Sequence, residues 1–164
     1  MFSPQTQRKG NEPAMNVRVA EAHETADILR ITNAAYQVEK FFIETERLSD
    51  ASLHSLLAKG VFLITESRDG CVYVELRGER AYFGPLSVHP ASQGTGRGRL
   101  LVNAAEEYAR AHGCRFMDIT IVNVREELPA FYRKLGYTPE GTKPFPEDEP
   151  TKLPVHLLTM SKEL

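Results

Sequence analysis

The sequence predicts an α+β fold: a central mixed, mostly antiparallel sheet flanked by four helices. Three observations carry this. Residues 61–88 hold three β-rich runs separated by two short turns, Arg68-Asp69-Gly70 and Gly78-Glu79-Arg80. The third run passes through a glycine-rich turn straight into a helix whose apolar residues recur at Leu101, Ala104, Ala105 and Tyr108. A further strand follows at 115–123, and a strand reached through a helical crossover lies parallel to the one before it.

The bulk composition bounds the rest. The 164 residues suit one domain, and 41% hydrophobic with 26% charged residues is the balance of a soluble globular chain. A formal net charge of −2 offers no basic excess, so no nucleic-acid partner is expected. No apolar run approaches the roughly 18–20 residues of a membrane span. The first ten residues lack the apolar centre of a signal peptide. A cytoplasmic protein with no membrane partner is therefore expected. Cys71 and Cys114 lie far apart without metal-ligand spacing, so both are expected to be reduced and structural, with no metal.

Residues 1–15 are polar and carry Pro4, Gly10 and Pro13, which predicts a mobile tail before a single domain at 16–164. Val17-Arg18-Val19-Ala20 alternates as a first strand. Thr25 is expected to cap a helix with Ile28, Ile31, Ala35 and Tyr36 on one face. Residues 38–47 are less regular and set Phe41 and Phe42 among Glu39, Lys40, Glu44, Glu46 and Arg47. Ser49 caps a second helix with Leu53, Leu56 and Leu57 inward, and Gly60 ends it. Asp69-Gly70 supports the positive φ of a hairpin turn between the next two strands. Beyond the strand at 115–123, a short helix carries Leu128, Phe131, Tyr132 and Leu135 on one face, closed by Gly136. Residues 138–146 read as loop, and 155–160 as a last strand.

The turn at 93–99 is the chemical centre of the sequence. The first N–H groups of a helix have no intrahelical partner, and the macrodipole makes that end partly positive. With Gly94, Gly96 and Gly98 alongside Arg97 and Arg99, this makes a phosphate site. A mononucleotide loop needs Gly-Lys-Ser/Thr, but Gly98 is followed by Arg99 and Leu100. A dinucleotide fingerprint needs Gly-x-Gly-x-x-Gly, but the glycines alternate and the strands before them are antiparallel hairpins.

Gln93-Gly94-Thr95-Gly96-Arg97-Gly98 resembles the acetyl-CoA signature of the GNAT superfamily of N-acetyltransferases, Gln/Arg-x-x-Gly-x-Gly/Ala, at every defined position. Leu86-Ser87-Val88-His89-Pro90 resembles the strand and turn that lead into it. Phe131-Tyr132-Arg133-Lys134-Leu135-Gly136-Tyr137 is similar to the second signature of the family. The resemblance covers about residues 17–163 and implies the GNAT acyl-CoA N-acyltransferase fold. It also implies acetyl-CoA as cosubstrate and acetyl transfer to the amine of a small molecule or protein, by direct attack in a ternary complex.

By that resemblance, the strand before the glycine turn splays from its parallel neighbour. Backbone groups at Leu86, Ser87 and Val88 are left to pair with the pantetheine arm, and Gly84-Pro85 suits the break. The pyrophosphate lies on the N–H groups of Gln93, Gly94, Thr95, Gly96, Arg97, Gly98 and Arg99. Tyr132 matches the tyrosine whose hydroxyl reaches the coenzyme sulfur. Asn123 could bond the pantetheine or serve a local turn. Many relatives carry Asn where this chain has Arg125, which leaves three roles open: pairing with Glu127, contact with the coenzyme, or meeting an acidic acceptor.

An attacking amine must first lose a proton, directly or through water, and the developing oxyanion needs a backbone donor. Glu75, His89 and Glu39 are the base candidates, and Glu75 is expected to be the catalytic one. Glu39, Phe41, Phe42 and Arg125 are expected at the acceptor, with the loop 138–153 as the opposite wall. Carboxylates on both sides would favour a cationic amine. The competing reading is a non-catalytic acyl-CoA-binding sensor. An exposed strand near the C-terminus could support a homodimer.

Overall fold

The structure, a computed structural model, describes residues 16–164; the expected tail at 1–15 lies outside the described residues. The strands are β1 (Val17–Val19), β2 (Val61–Thr65), β3 (Gly70–Arg77), β4 (Arg80–Val88), β5 (Phe116–Val122), β6 (Thr138–Pro144) and β7 (His156–Glu163). They form one sheet in the order β1-β2-β3-β4-β5-β7-β6. The helices are α1 (Thr25–Ala35), α2 (Asp50–Leu57), α3 (Arg97–Ala111) and α4 (Leu128–Lys134). The β2-β3-β4 meander is antiparallel, β4 and β5 are parallel, and β7 lies antiparallel between β5 and β6. This is the mixed, mostly antiparallel sheet with four helices that the sequence predicts.

Strand alternation sends side chains to two cores. Val72 and Val74 of β3 join Leu101, Ala105 and Tyr132 under α3 and α4. Cys71 and Tyr73 join Ile28, Ile31 and Leu53 under α1 and α2. Covered on both faces, β3 is buried and uncharged from Gly70 to Val74, and its charged residues come only at the end that emerges, Glu75 and Arg77. Each such side chain contributes about 1.5–3 kcal/mol by leaving water. A buried carboxylate ties the layers: Glu106 of α3 accepts from the Tyr137 hydroxyl at 2.8 Å and from Lys162 Nζ of β7 at 3.0 Å. Both cysteines are free and buried, with the Cys71 thiol pushed up to about 12 by burial.

Three local expectations change. Ser49 caps α2, accepting from the Ser52 N–H at 3.1 Å, but Thr25 is the first residue of α1 and not its cap. The start of α1 is set instead by wholly buried Glu24, which takes Arg18 at 2.8 Å through both oxygens, Arg68 Nε at 2.8 Å and the Glu21 N–H at 2.8 Å. At the β2–β3 turn the positive φ falls on Arg68 (57°), because the Asp69 carboxylate accepts from Thr65 and Ser67 and fixes the turn around itself. Residues 138–144 are a strand, not loop. Pro139 and Pro144 are tolerated because β6 is the outer edge, fully exposed, with a register irregularity between Pro139 and Gly141.

Candidate active site

β4 and β5 pair only from Arg80–Phe116 to Tyr82–Asp118. β4 then runs on to Val88 and β5 to Val122 without further pairing. The cause lies in β4. Gly84 and Pro85 together oppose Tyr73, a bulge across which the register jumps from Val74–Phe83 to Val72–Leu86. Gly84 adopts φ +138°, which favours glycine, and Pro85 has no N–H to give to a ladder. A cavity of about 320 Å³ opens between the strands. The Tyr82 and Thr120 hydroxyls meet at 3.1 Å just past the last backbone pair.

The strand leads to the glycine turn. His89 Nδ1 accepts from the Ala91 N–H at 3.2 Å and shapes a short 3-10 turn over Pro90–Ser92. Gln93 Nε2 donates back to the Val88 carbonyl at 3.0 Å. Gly94 and Gly96 adopt φ +77° and +87°, with open space where a Cβ would stand. Among the described residues, the N–H groups of Gly94 through Arg99 have no acceptor; the first helical bond is Leu100 N–H to the Gly96 carbonyl at 3.1 Å. Six unanswered donors on a left-handed turn at the start of a fifteen-residue helix make an anion cradle.

The two arginines differ. Arg97 turns away from the cradle: its Nε lies 2.6 Å from Asp69 Oδ2, without the alignment of a hydrogen bond, and its Nη1 donates to Thr95 Oγ1 at 2.9 Å. Arg99 is exposed, with no ion-pair partner among the described residues.

Tyr132 lines the cavity from α4, 7% exposed and packed against Phe83 and Tyr137 with ring centroids 6.0 Å apart in each case. Its hydroxyl has no hydrogen-bond partner among the described residues, and burial raises its pKa well above the ordinary phenol value. Leu86 and Val88 pack toward the core under α3 and α4, while Ser87 points to the other face with its buried Oγ unpaired.

The opposite side of the cavity comes from the segment after α1 and from the β6–β7 connection. Tyr36 donates its hydroxyl to the Leu86 carbonyl at 3.3 Å, and burial pushes its pKa up to about 12. Arg47 lies over the Tyr36 ring, its Cζ 5.3 Å from the centroid. Glu39 lines the cavity and accepts from Arg125 Nη1 at 2.8 Å, their side chains 12% and 16% exposed. Burial raises the Glu39 carboxyl; the Arg125 guanidinium opposes this without cancelling it. Arg125 also donates to Glu127 at 2.8 Å, so of its three open roles pairing is the one seen, with Glu39 as an unforeseen second partner. Phe145, Pro146 and Glu149 complete this wall, and the connection is tied to the facing segment by the Lys152 N–H to the Phe42 carbonyl at 2.7 Å.

Four of the expected site residues, Glu75, Asn123, Phe41 and Phe42, are not among those lining the cavity. Glu75 is outside the cavity lining and is occupied by Arg77 Nε at 2.8 Å and the Tyr73 hydroxyl at 2.9 Å. Burial alone would raise its carboxyl, but these two donors hold it below the usual range. Asn123 latches β5 to β7, its Oδ1 accepting the His156 N–H and its own N–H reaching the His156 carbonyl, both at 2.9 Å. Phe42 is a core residue, 1% exposed, and Phe41 is half exposed; it is Phe145, edge-on to Phe42 at 6.2 Å, that faces the cavity. Tyr36 and Thr120 lie outside every expected site segment; Arg47 and Glu149 belong to the segment 38–47 and to the loop 138–153 expected as the opposite wall, without being singled out. Tyr36 gave the one usable signal, an aromatic with a polar tip at the end of an amphipathic helix.

Residues 58–139 match the family model of the acetyltransferase (GNAT) domain, and the chain belongs to that family. Solved structures share the fold. Ribosomal-protein-alanine N-acetyltransferase from Brucella melitensis superposes with a TM-score of 0.73 at 21% identity, over 91% of this chain and 99% of that one. The yncA protein from Salmonella typhimurium, solved with its cofactor acetyl-CoA, gives 0.70 at 22% identity, over 91% and 93%. Nourseothricin acetyltransferase gives 0.68 at 19% identity, over 90% and 97%. No curated protein sequence matches the chain significantly. Among the described residues no helix is long and apolar enough to cross a membrane.

Proposed function

We propose that the chain is an acetyl-CoA-dependent N-acetyltransferase that moves the acetyl group directly to an amine held in the same cleft. The observation that carries this reading is the β4 edge left unpaired toward β5, leading through the short turn at Pro90–Ser92 into six free N–H groups at the start of α3. That continuity fits a long ligand with an amide-bearing arm and a pyrophosphate end, and a bound coenzyme would supply a thioester carbonyl open to an amine. Gly94 through Arg99 hold the phosphates, with Arg99 adding charge. Leu86 to Val88 pair with the arm.

Tyr132 serves the sulfur. A thiol ionises near ~8.5 and a phenol near ~10. Burial raises Tyr132 further. Its proton therefore stays in place, and the hydroxyl donates a hydrogen bond that strengthens as charge builds on the departing sulfur. A backbone N–H of Leu86 or Val88 meets the carbonyl oxygen. Glu39, raised by burial and lining the cavity, takes the amine proton directly or through water. Glu75 has no part in this reading.

Calorimetry with acetyl-CoA followed by thiol release across an amine panel tests it. Binding with amine-dependent release is expected. Binding without release for any amine would leave a sensor in place of an enzyme, and absence of binding would remove the assignment.

A further inference from the structure

The charges lining the acceptor side fall into two groups. Glu39 is answered by Arg125 at 2.8 Å, and Glu46 by Lys40 at 3.0 Å. Arg47 and Glu149 line the same cavity with no ion-pair partner among the described residues. The Arg47 guanidinium is not loose: it stands over the Tyr36 ring, whose hydroxyl is bonded to the Leu86 carbonyl on β4. One cation is therefore posted a single tyrosine ring away from the strand where the amine must react. A guanidinium fork takes a carboxylate in two parallel hydrogen bonds.

Resting on the acetyltransferase reading above, we infer that the acceptor is a short amino acid, an amine that carries its own carboxylate. Arg47 takes the carboxylate. Glu149 and Glu39 face the ammonium before it is deprotonated. A zwitterion leaves the cavity with no net charge to compensate, whereas a dianionic phosphate at Arg47 would set its second negative charge against the unanswered Glu149 carboxylate. This replaces the expectation of a purely cationic amine: two of the lining carboxylates are already neutralised, so the unanswered charges are one of each sign.

The test uses the full chain with acetyl-CoA and matched amines that differ only in a carboxylate: L-lysine with cadaverine, L-ornithine with putrescine, L-tyrosine with tyramine. For the best pair, kcat/KM is expected to be about tenfold or more higher for the amino acid. Arg47→Met should bring that ratio close to one, and Arg47→Lys should restore part of it. A merely structural role for Arg47 would lower both members of the pair equally. Equal or better turnover of the decarboxylated amines, turnover of peptide amides alone, or a ratio indifferent to Arg47→Met overturns the inference while leaving the enzyme reading standing. Acetyl-CoA binding with no turnover of any amine fails the enzyme reading itself.

Discussion

The cleft has a proposed cofactor side and a proposed acceptor side, and the first is laid out along one run of chain, 80–99, with Tyr132 added from α4. The acceptor side is gathered from Tyr36 to Arg47, from Thr120 on β5 and from Phe145 to Glu149, which meet only in the folded chain. The first is built mainly of backbone: an unpaired strand edge and six free N–H groups. The second is built of side chains and ion pairs. A backbone site depends on glycines and a bulge and accepts the same ligand whatever the surrounding side chains. A side-chain site changes its ligand whenever one charge is moved. The family model, 58–139, begins after Arg47 and ends before Phe145, so it spans the first region and misses most of the second.

Variants that separate the two sides test this contrast. The largest effect is expected from Gly96→Glu, which fills the open space of the cradle with a like charge at φ +87°. Calorimetry should show acetyl-CoA affinity reduced by about a hundredfold or more. Circular dichroism should report a retained fold, and unchanged affinity would overturn the assignment. Next comes Tyr132→Phe. Its kcat should fall roughly ten- to a hundredfold, with acetyl-CoA affinity and Tm nearly constant because the hydroxyl has no protein bond to lose. A marked drop in Tm instead would make Tyr132 a core residue only.

On the acceptor side, Arg125→Ala leaves Glu39 unpaired at 12% exposure and should cost about 1–2 kcal/mol in denaturant unfolding, after allowance for solvent screening. The amine KM should move while acetyl-CoA affinity stays within about twofold; the reverse pattern would erase the boundary between the two sides.

The smallest effect is expected from Asp69→Asn, which loosens Arg97 beneath the cradle and should weaken acetyl-CoA only a few-fold, on the order of 1 kcal/mol. Burial pushes the Asp69 carboxyl up, but the Thr65, Ser67 and Ser92 hydroxyls and Arg97 outweigh it and hold it below the usual range. A carboxylate held low stabilises the fold above its unfolded pKa of about 3.9, and that contribution is lost as pH falls through the lower folded value. The Tm gap between the wild type and Asp69→Asn should thus be full near neutral pH and close under strong acid. A gap that widens on acidification would contradict it.

The contrast also explains what was legible in the sequence. Local chemistry announced itself: hairpin turns, Ser49 as a cap, alternating glycines before a periodic helix, and Gly84-Pro85 as the break in β4. Edge strand β6 was missed because its prolines and uniform exposure remove the alternation that marks a strand, and only pairing with β7 shows it. The start of α1 was misassigned because Glu24 takes its partners from 18 and 68, too far along the chain for any capping rule. Glu75 looked available because its neighbours Tyr73 and Arg77 carry no mark in the sequence of turning toward it. The glycine turn is one contiguous stretch and reads as a unit; Arg47, Thr120 and Glu149 come from three distant segments, and nothing local joins them.

The Gly84–Pro85 bulge has an effect reaching past the gap it opens. Before it, the odd-numbered Ala81 and Phe83 enter the core under α3 and α4; after it, the even-numbered Leu86 and Val88 do. One extra residue has reversed the parity of the strand. Straightening the bulge so that both residues took ordinary ladder places would therefore act like a frameshift in miniature. Ser87 would be driven into hydrocarbon, Leu86 and Val88 would be turned out of it, and the glycine turn would be launched from the wrong face of the sheet. The bulge sets the phase in which every residue from 86 to the first turn of α3 is presented.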